Sequence, residues 1–437
     1  MNNTIENKKF RLEESKIFCM APWISLSNQP NGNIKPCCIY IDRTKFGNLY
    51  QNDINEIWNG EEYKNFRKRL LNDEKSPGCE RCYKYEEWGD QNSLRKLSNS
   101  TYQDKYDELV LKTTDDGYID DMQLIYWDFR FSNLCNLACI GCSPECSSKW
   151  VEQQNKVWPN SDPYKIFTSS KNKEKFISQI KLHGNNVRHI YFAGGEPLIQ
   201  PEHYEILEEL KLLGRLNAVS FTYSSNLTNL IYKKISVIDY WTDIKKIKVL
   251  VSLDEIDYNR LYYMRNPSNL NDIIKNIKTI NKILNTYDKR WAVNPVWSIL
   301  NLHRIKDIME FFYKNDLLPN AYYVDDYWEN DFHNTIMMNP DYLYIENASI
   351  EWKKYLNKKL TEYQEWYKDI LIPLKSLNVR DSSIKKLDIH IKKFKNALNG
   401  EGKSDTESFV GWINRLDNVQ NTNFCKTFPE LEWIYYG

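Results

Sequence analysis

Three cysteines, Cys135, Cys139 and Cys142, follow a predicted strand at a C-x3-C-x2-C spacing. Thiolates at this spacing converge on one loop, and thiolate ligands suit iron-sulfur chemistry. A [4Fe-4S] cube has four irons, so three cysteines leave one iron open to a small molecule. The motif therefore predicts a cluster that takes part in chemistry.

Cys146, four residues after Cys142, leaves two other interpretations open. Structural zinc sites are closed and four-coordinate, so a zinc site here would need Cys146 as its fourth ligand. If Cys146 instead closed an iron-sulfur cluster, the protein would carry electrons or bind a partner without catalysis. The role of Cys146 thus separates an enzyme from a non-catalytic protein.

A second group of cysteines lies in the first 90 residues. Cys19, Gly32 and Cys37 form a C-x12-G-x4-C pattern, and Cys79 and Cys82 form a later C-x2-C. Gly32 allows a tight turn, and the cysteines around it indicate a second metal centre. A centre with four protein ligands predicts electron transfer or a structural role. A four-cysteine zinc ribbon fits the same spacing.

Two further cysteines are not assigned to a cluster. Cys38 could replace its neighbour Cys37 as a ligand, but a buried small apolar side chain is the more typical role. Cys425 stands alone near the end of the chain, where a lone thiol usually packs. Because disulfides persist mainly in oxidising compartments, the ten cysteines of a chain without a secretion signal indicate metal centres.

The part of the chain around Cys135, Cys139 and Cys142, from about residue 120 to residue 330, alternates short apolar runs with helical stretches. This alternation is typical of parallel βα units. The predicted strands are Gln123–Phe129, Val187–Phe192, Ala218–Tyr223, Ile247–Leu253, Trp291–Ser298 and Asn320–Val324. The predicted helices are Ile54–Leu71, Glu202–Leu213, Leu270–Leu284 (capped by Asn269 or Asn271), His303–Tyr313 and Glu351–Ile370.

The composition of the chain limits the classes of partner that we expect it to bind. The chain has 437 residues, and 59 Lys and Arg balance 59 Asp and Glu, so no net charge attracts nucleic acid or an anionic membrane. The first 15 residues are polar, and no run approaches 18 apolar residues. We therefore expect a cytoplasmic protein with no nucleic-acid or membrane partner.

The central motif resembles that of the radical S-adenosylmethionine (SAM) enzymes, whose three cysteines follow the first strand of a partial (β/α)6 barrel. One βα unit later, Gly194-Gly195-Glu196-Pro197 is similar to the GGEP segment of the family. The resemblance implies that these residues bind SAM, with Glu196 receiving its ammonium group. It also implies SAM contacts for Asn226, Ser252, Asp254 and Arg265, with Arg265 meeting the carboxylate.

One position departs from the family pattern. Many members carry an aromatic residue just before the third cysteine, against the adenine of SAM, whereas this chain has Gly141. The adenine contact must then come from elsewhere.

The cysteines near the start of the chain resemble the auxiliary-cluster modules called SPASM and twitch domains, which normally follow the barrel. This resemblance implies one auxiliary [4Fe-4S] cluster, which Cys19, Cys37, Cys79 and Cys82 would hold. The resemblance to radical SAM enzymes implies a separate [4Fe-4S] cluster, which Cys135, Cys139 and Cys142 would hold and to which SAM would bind.

The predicted organisation is a polar segment (1–16), an auxiliary module (17–95), a radical SAM partial barrel of the α/β class (120–330) and a helical extension (331–437). The resemblance implies reductive SAM cleavage to a 5′-deoxyadenosyl radical that abstracts hydrogen from a substrate. We expect net oxidation or crosslinking of a peptide, sugar or small metabolite, with a flavodoxin- or ferredoxin-like electron donor. A redox-neutral epimerase is the alternative within the family.

Overall fold

The structure is a computed structural model that describes residues 2–159, 163–167, 173–286, 288–317, 335–338, 340–371, 377–402 and 406–436. Its α-helices are α1 (Asn2–Lys9), α2 (Ala21–Ile24), α3 (Ile54–Trp58), α4 (Glu61–Leu71), α5 (Glu80–Glu87), α6 (Leu94–Thr101), α7 (Ser148–Val157), α8 (Lys173–His183), α9 (Pro201–Leu212), α10 (Val237–Asp243), α11 (Tyr258–Met264), α12 (Leu270–Ile280), α13 (Ile305–Lys314), α14 (Ile350–Leu371), α15 (Leu377–Leu398), α16 (Thr406–Gln420), α17 (Phe424–Thr427) and α18 (Trp433–Tyr436).

Its strands are β1 (Ser25–Asn28), β2 (Ile34–Lys35), β3 (Tyr126–Phe129), β4 (Ala138–Cys139), β5 (His189–Phe192), β6 (Ser220–Ser225), β7 (Ile231–Tyr232), β8 (Ile235–Ser236), β9 (Lys246–Val251), β10 (Arg265–Asn266), β11 (Lys289–Val293), β12 (Val296–Trp297) and β13 (Thr335–Ile336).

The chain divides into two compact units. Unit 1 consists of Met1–Ser132, Phe167–Tyr223 and Asp243–Lys246. Unit 2 consists of Asn133–Ile166, Ser224–Thr242 and Ile247–Gly437. Each unit combines strands with helices, in agreement with the predicted α/β class.

The sheet of unit 1 has the strand order β2, β1, β3, β5, β6. Strand β1 is antiparallel to β2 and parallel to β3, where Ser27 lies opposite Asp128. Strands β3, β5 and β6 are parallel to one another. The first strand predicted for the barrel is therefore paired with a strand from the cysteine-rich region near the start of the chain.

The two faces of this sheet differ in chemistry, because successive side chains of a strand point to opposite faces. On one face Trp127 and Phe129 stack with ring centroids 4.4 Å apart, and Phe129 lies 5.8 Å from Phe192. These rings are buried and form the aromatic core of unit 1. The opposite face of β3 carries Tyr126 and Asp128 and is polar.

In unit 2, strands β9 and β11 form a parallel pair with Val249 opposite Trp291. Helix α12 begins where predicted, since the Asn269 side chain caps it by accepting hydrogen bonds from the N–H groups of Asn271 and Asp272. Leu270, Ile273, Ile277 and Ile280 are buried on one face of this helix, as their helical spacing indicates.

Five of the six predicted strands are present as β3, β5, β6, β9 and β11. The prediction of one strand over Trp291–Ser298 is wrong, because β11 ends at Val293 and β12 starts only at Val296. Pro295 lies between them and has no N–H for a ladder hydrogen bond. The predicted strand over 320–324 lies outside the described residues.

The predicted helix Ile54–Leu71 is in fact two helices, α3 and α4, which are separated at Asn59 and Gly60. Gly60 has an extended backbone, with φ −64° and ψ 157°. A Cβ on Gly60 would lie 3.2 Å from the carbonyl oxygens of Glu56 and Ile57, a tight contact that favours glycine at the break.

The region after residue 340 is helical, as predicted. Helix α14 contains the whole predicted range, and α15 and α16 follow it. In the portion of the chain that the structure describes, no helix is both long and apolar enough to cross a membrane.

Candidate functional site

The loop that carries Cys135, Cys139 and Cys142 is held by a short strand pair in unit 2. Strand β4 is antiparallel to β10, with Cys139 opposite Arg265. The N–H of Ile140 donates to the carbonyl of Met264 at 2.8 Å, and the N–H of Cys142 donates to the carbonyl of Cys139 at 2.9 Å. The chain therefore turns back sharply between the second and third cysteines.

The start of helix α7 fixes the other side of this loop. Ser148 accepts a hydrogen bond from the N–H of Cys135 at 3.1 Å and donates its hydroxyl to the carbonyl of the same residue at 3.0 Å. Ser147 caps α7 and donates to the carbonyl of Leu137 at 2.6 Å. The indole N–H of Trp150 donates to the carbonyl of Cys139 at 2.8 Å. Helix capping and cysteine placement thus depend on the same residues.

The cysteines of the loop influence one another electrostatically. Burial raises the pKa of the Cys142 thiol well above its usual value, and the neighbouring Cys146, Cys139 and Cys135 raise it further. A group of buried thiols is a poor place for negative charge unless a cation or cluster compensates it. The donor set fits an iron-sulfur cluster, and the structure also brings Cys146 to this set.

Arg265 and Asp254 form a buried ion pair beside the loop. Arg265 Nε lies 2.7 Å from Asp254 Oδ2, and Arg265 Nη1 donates to Cys139 Sγ at 3.6 Å. Burial lowers the pKa of Arg265, but Asp254 and Cys139 outweigh this effect and raise it above the usual value. Asp254 Oδ1 also accepts the N–H of Val296 at 2.8 Å. The two predicted SAM contacts are therefore placed together next to a cluster ligand.

Asn226 lies in the same unit and contacts the cysteine loop. Its side-chain amide donates to Asn136 Oδ1 at 2.9 Å, and Asn136 donates to Thr228 Oγ1 at 2.8 Å. Ser252 is held by its backbone, whose N–H donates to the carbonyl of Ser225 at 2.8 Å. A role for either residue in SAM binding stays a prediction.

The Gly194–Pro197 segment follows β5 in unit 1. Gly194 and Gly195 have φ values of +75° and +57°, which few residues other than glycine adopt. A Cβ on Gly194 would lie 2.6 Å from Arg130 Cβ. Glu196 is buried, and its Oε1 accepts the N–H of Leu198 at 3.1 Å. The paired glycines are thus required by the backbone.

The four predicted auxiliary ligands come together in unit 1. Cys19, Cys37, Cys79 and Cys82 line one cavity, with apolar residues and Arg95 completing its wall. Cys37 follows β2, Cys79 ends a turn of 3-10 helix and Cys82 lies in the first turn of α5. No group of three His, Cys, Asp or Glu in the described ranges is arranged to hold one metal ion. The cavity lining supplies the four thiols that a cluster needs.

Burial dominates the chemistry of these thiols. It raises the pKa of Cys19 to about 11 and that of Cys79 to about 12, and it raises those of Cys37 and Cys82 as well. Arg95 opposes this effect at Cys19 and Cys79 through its positive charge. Arg95 also donates to the carbonyls of Ser15 and Phe18 at 2.9 Å each.

A buried polar group in unit 1 was not predicted. Asp128 is fully buried, accepts the hydroxyl of Ser27 at 3.0 Å and pairs with Arg130 Nε at 3.2 Å. Burial raises the pKa of Asp128, whereas Arg130 and hydrogen bonds from Ser27 and Cys38 lower it. The alternation Tyr126, Asp128, Arg130 was the available sequence signal.

Comparison with known families decides the class. A model described as the radical SAM superfamily matches residues 129–312, and a model of the SPASM iron-sulfur cluster-binding domain matches residues 19–83. The chain therefore contains a radical SAM domain and a SPASM domain. Its SPASM domain precedes the radical SAM domain, and together they confirm a SAM-binding [4Fe-4S] cluster and auxiliary iron-sulfur ligation. The cysteines of unit 2 and unit 1 fit these two roles.

Individual relatives are distant. A GTP 3′,8-cyclase of Clostridium acetobutylicum is 26% identical over 161 residues, which cover 36% of this chain and 43% of the relative. The match therefore spans less than half of the relative's length. Streptococcus suis SuiB with bound S-adenosylmethionine is 17% identical, with a TM-score of 0.33 over 52% of this chain and 44% of SuiB. Native anSMEcpe with bound AdoMet is 15% identical, with a TM-score of 0.37 over 56% and 60% of the two chains.

Proposed function

We propose that this radical SAM protein cleaves SAM reductively and uses the resulting 5′-deoxyadenosyl radical to abstract hydrogen from a substrate. The observation that carries the proposal is the cysteine loop of unit 2, in which Cys135, Cys139 and Cys142 are fixed by backbone hydrogen bonds. A [4Fe-4S] cluster bound there supplies the electron that splits the sulfonium bond of SAM.

The surrounding residues position the site. Helix α7 and strand β10 hold the backbone of the loop from two sides. Arg265 offers a buried positive charge beside Cys139, where the carboxylate of SAM can compete with Asp254 for it. Burial of the pair excludes water from the reacting centre.

The auxiliary site favours a net oxidation or a crosslinking reaction. A substrate radical that becomes an oxidised product must release one electron, and a fully ligated cluster can accept it. The four buried thiols of unit 1 are suited to such a cluster. The substrate is a peptide, sugar or small metabolite, and a flavodoxin- or ferredoxin-like protein supplies the reducing electron.

A second candidate function follows from Cys146. Its thiol lies close enough to Cys142 to raise the pKa of that residue. If Cys146 completes the ligation, no iron stays open for SAM and the protein carries electrons.

The test is anaerobic reconstitution with iron and sulfide, followed by SAM and dithionite. The wild-type protein is expected to release 5′-deoxyadenosine, and the variant with Cys135, Cys139 and Cys142 all changed to Ala is expected to release none. Cys425→Ala is the matched control, because Cys425 lies outside both cysteine groups.

A Cys79→Ala/Cys82→Ala variant tests the auxiliary site in the same assay. We expect its iron to fall from about eight to about four per chain while SAM cleavage persists. No release of 5′-deoxyadenosine by wild-type protein that holds its full iron would overturn the proposed function.

A further inference from the structure

A two-stranded hairpin, residues 231–236 of unit 2, exposes apolar side chains. Its strands β7 and β8 are antiparallel, with Ile231 opposite Ser236 and Tyr232 opposite Ile235, and they form a sheet of their own. Because paired residues share a face, Ile231 and Ile235 lie on opposite faces. Ile231 is 64% exposed and Ile235 is 39% exposed. Neither face of the hairpin is therefore fully covered.

The turn of this hairpin consists of Lys233 and Lys234. Their φ values are +45° and +73°, in the left-handed region that a two-residue hairpin turn requires. Asn-Gly adopts this region most readily, whereas a lysine adopts it at a cost in free energy because of its Cβ. The geometry of the turn therefore gives no reason for two lysines at these positions.

The two lysines make the hairpin basic. Both are exposed, and Lys233 Nζ lies 5.2 Å from the centroid of the Tyr232 ring. Residues 224–238 contain no Asp or Glu and no other Lys or Arg. The charge of this whole segment is thus concentrated at the tip of the hairpin, beside exposed isoleucines.

The segment before the hairpin is bonded to the cysteine loop. Asn226 donates to Asn136 Oδ1 at 2.9 Å, and Asn136, the residue after Cys135, donates to Thr228 Oγ1 at 2.8 Å. Ile231 follows Thr228 by three residues, which span at most about 11 Å. Cys135 and Asn136 are themselves partly exposed. The hairpin therefore begins close to the point where the cysteine loop reaches the protein surface.

The base of the hairpin is anchored to the rest of unit 2. The side-chain amide of Asn276 in α12 donates to the carbonyl of Leu227 at 2.8 Å. The N–H of Val237 donates to the carbonyl of Leu230 at 3.0 Å and closes the base. Leu227 is fully buried. A partner bound to a hairpin with a fixed base would be held in one position relative to the cysteine loop.

We propose that the hairpin of residues 231–236 docks the protein that reduces the cluster of unit 2, and that this electron donor presents an acidic surface. The inference rests on the proposed function, because it needs a cluster in the cysteine loop that receives an electron. The donor loses one electron and the cluster gains it, and no bond forms or breaks in this step.

The chemistry of the hairpin fits such a partner. Transient redox complexes have small interfaces, and complementary charges steer their association. Two lysines beside exposed isoleucines supply the charge and the apolar contact that a small interface needs. An anionic membrane would also attract the lysines, but the hydrogen bonds between this segment and Asn136 favour a partner that serves the cluster.

The experiment compares a protein reductant with dithionite, which needs no docking surface. Iron-reconstituted full-length protein receives SAM and either dithionite or a purified acidic flavodoxin in its reduced form, and release of 5′-deoxyadenosine is measured. Lys233→Glu/Lys234→Glu is expected to lower the flavodoxin-driven rate about tenfold at low salt, because charge reversal removes the steering. The dithionite-driven rate is expected to stay within about twofold of wild type.

The matched control is Lys354→Glu/Lys358→Glu, which makes the same charge change at two exposed lysines of α14. It is expected to keep both rates within about twofold of wild type. Salt gives a second check, since the flavodoxin-driven rate of the wild type should fall as ionic strength rises, and that of Lys233→Glu/Lys234→Glu should not.

A second pair of variants separates the charge from the fold of the hairpin. Lys233→Asn/Lys234→Gly suits the turn better than the native residues, so its thermal unfolding temperature should not fall. We nevertheless expect its flavodoxin-driven rate to drop about fivefold. Lys233→Arg/Lys234→Arg keeps both positive charges and should keep the rate within about twofold of wild type.

Crosslinking tests the contact without turnover. A carbodiimide joins lysine amines to carboxylates that touch them, and it is applied to oxidised flavodoxin and oxidised wild-type protein without SAM. Mass spectrometry is expected to find flavodoxin peptides joined to Lys233 or Lys234. Crosslinks at other lysines only would overturn the inference.

The remaining outcomes separate the inference from the proposed function. Equal flavodoxin-driven rates for wild type and Lys233→Glu/Lys234→Glu would overturn the inference, and so would an equal loss with both reductants, because the lysines would then support the fold. Wild-type protein that reacts with dithionite but not with flavodoxin would overturn it as well. Binding of wild type to phosphatidylserine vesicles, lost in the Glu variant while its flavodoxin-driven rate persists, would assign the hairpin to a membrane instead. No 5′-deoxyadenosine from iron-loaded wild type with dithionite would contradict the proposed function itself.

Discussion

The two cysteine groups differ in how the chain assembles them. In unit 1 the predicted ligands come from positions 19 to 82 and from four separate segments, whereas in unit 2 they lie between positions 135 and 142 on one loop. The first group needs a folded module to bring its thiols together. The second needs only a turn and two anchoring elements, so local contacts determine its geometry.

A buried arginine that is paired with a carboxylate nevertheless lies beside each of the two cysteine groups. In unit 1 Arg95 pairs with Glu86 and also binds two backbone carbonyls, so it ties the module together. In unit 2 Arg265 pairs with Asp254 and donates directly to Cys139. The comparison shows that Arg265 donates a hydrogen bond to a predicted ligand, whereas Arg95 acts on its cysteines only through its charge and also holds two backbone carbonyls of the module.

The largest expected effect tests whether the loop of unit 2 leaves one iron open. Cys142→Ala should reduce 5′-deoxyadenosine formation by at least about 10³-fold, because an essential ligand is lost. Cys146→Ala should leave both iron content and SAM cleavage unchanged. Anaerobic assays with iron analysis check both variants, and loss of the barrel cluster in Cys146→Ala would favour the electron-transfer function.

A smaller effect is expected at the arginine of unit 1. Arg95→Leu leaves the Glu86 side chain, which is only 11% exposed, without its charged partner and should lower the free energy of unfolding by about 3 kcal/mol. The control is Arg188→Ala, which removes a pair with Asp104 that is about half exposed, and its cost should stay below about 1 kcal/mol. Urea unfolding of iron-loaded protein measures both. Equal costs would show that Arg95 does not support the module.

The smallest expected effect is a difference in stability between Ala variants of two glycines that each precede a cysteine, Gly78 and Gly141. A Cβ on Gly78 would lie 2.1 Å from Tyr40 Cζ, and the Tyr40 ring is buried against Phe46 at 5.3 Å. Gly78→Ala should therefore cost about 1–3 kcal/mol. Gly141→Ala should cost less than about 1 kcal/mol, because the end of the Met337 side chain can rotate away. Thermal unfolding measures the difference, and a larger cost at Gly141 would contradict this order.

Sequence reasoning located the parts of the fold that depend on local signals. The cysteine loop, five strands and the Asn269 cap were all readable from short stretches of residues. Two errors were also local, since Pro295 interrupts a predicted strand and Gly60 separates two helices. Both residue types are known to break such elements, so these signals were present and underweighted.

The contacts that were not predicted join residues far apart in sequence. The Met337 side chain fills the space at Gly141, and Ser27 lies opposite Asp128 across a strand pair. No periodicity or spacing in a single sequence encodes which distant positions meet. The identities of the ligands could thus be predicted, but not the residues that surround them.

The pairing of β1 with β3 also limits how the protein can be divided. A family boundary separates the SPASM domain from the radical SAM domain, yet residues from both sides of it share one sheet. Removing the SPASM residues would strip β3 of a neighbour and leave its N–H and C=O groups as an open edge that invites aggregation. The SPASM domain therefore cannot be removed without changing the sheet. A protein that gained or lost this domain by fusion or deletion would need a new neighbour for β3.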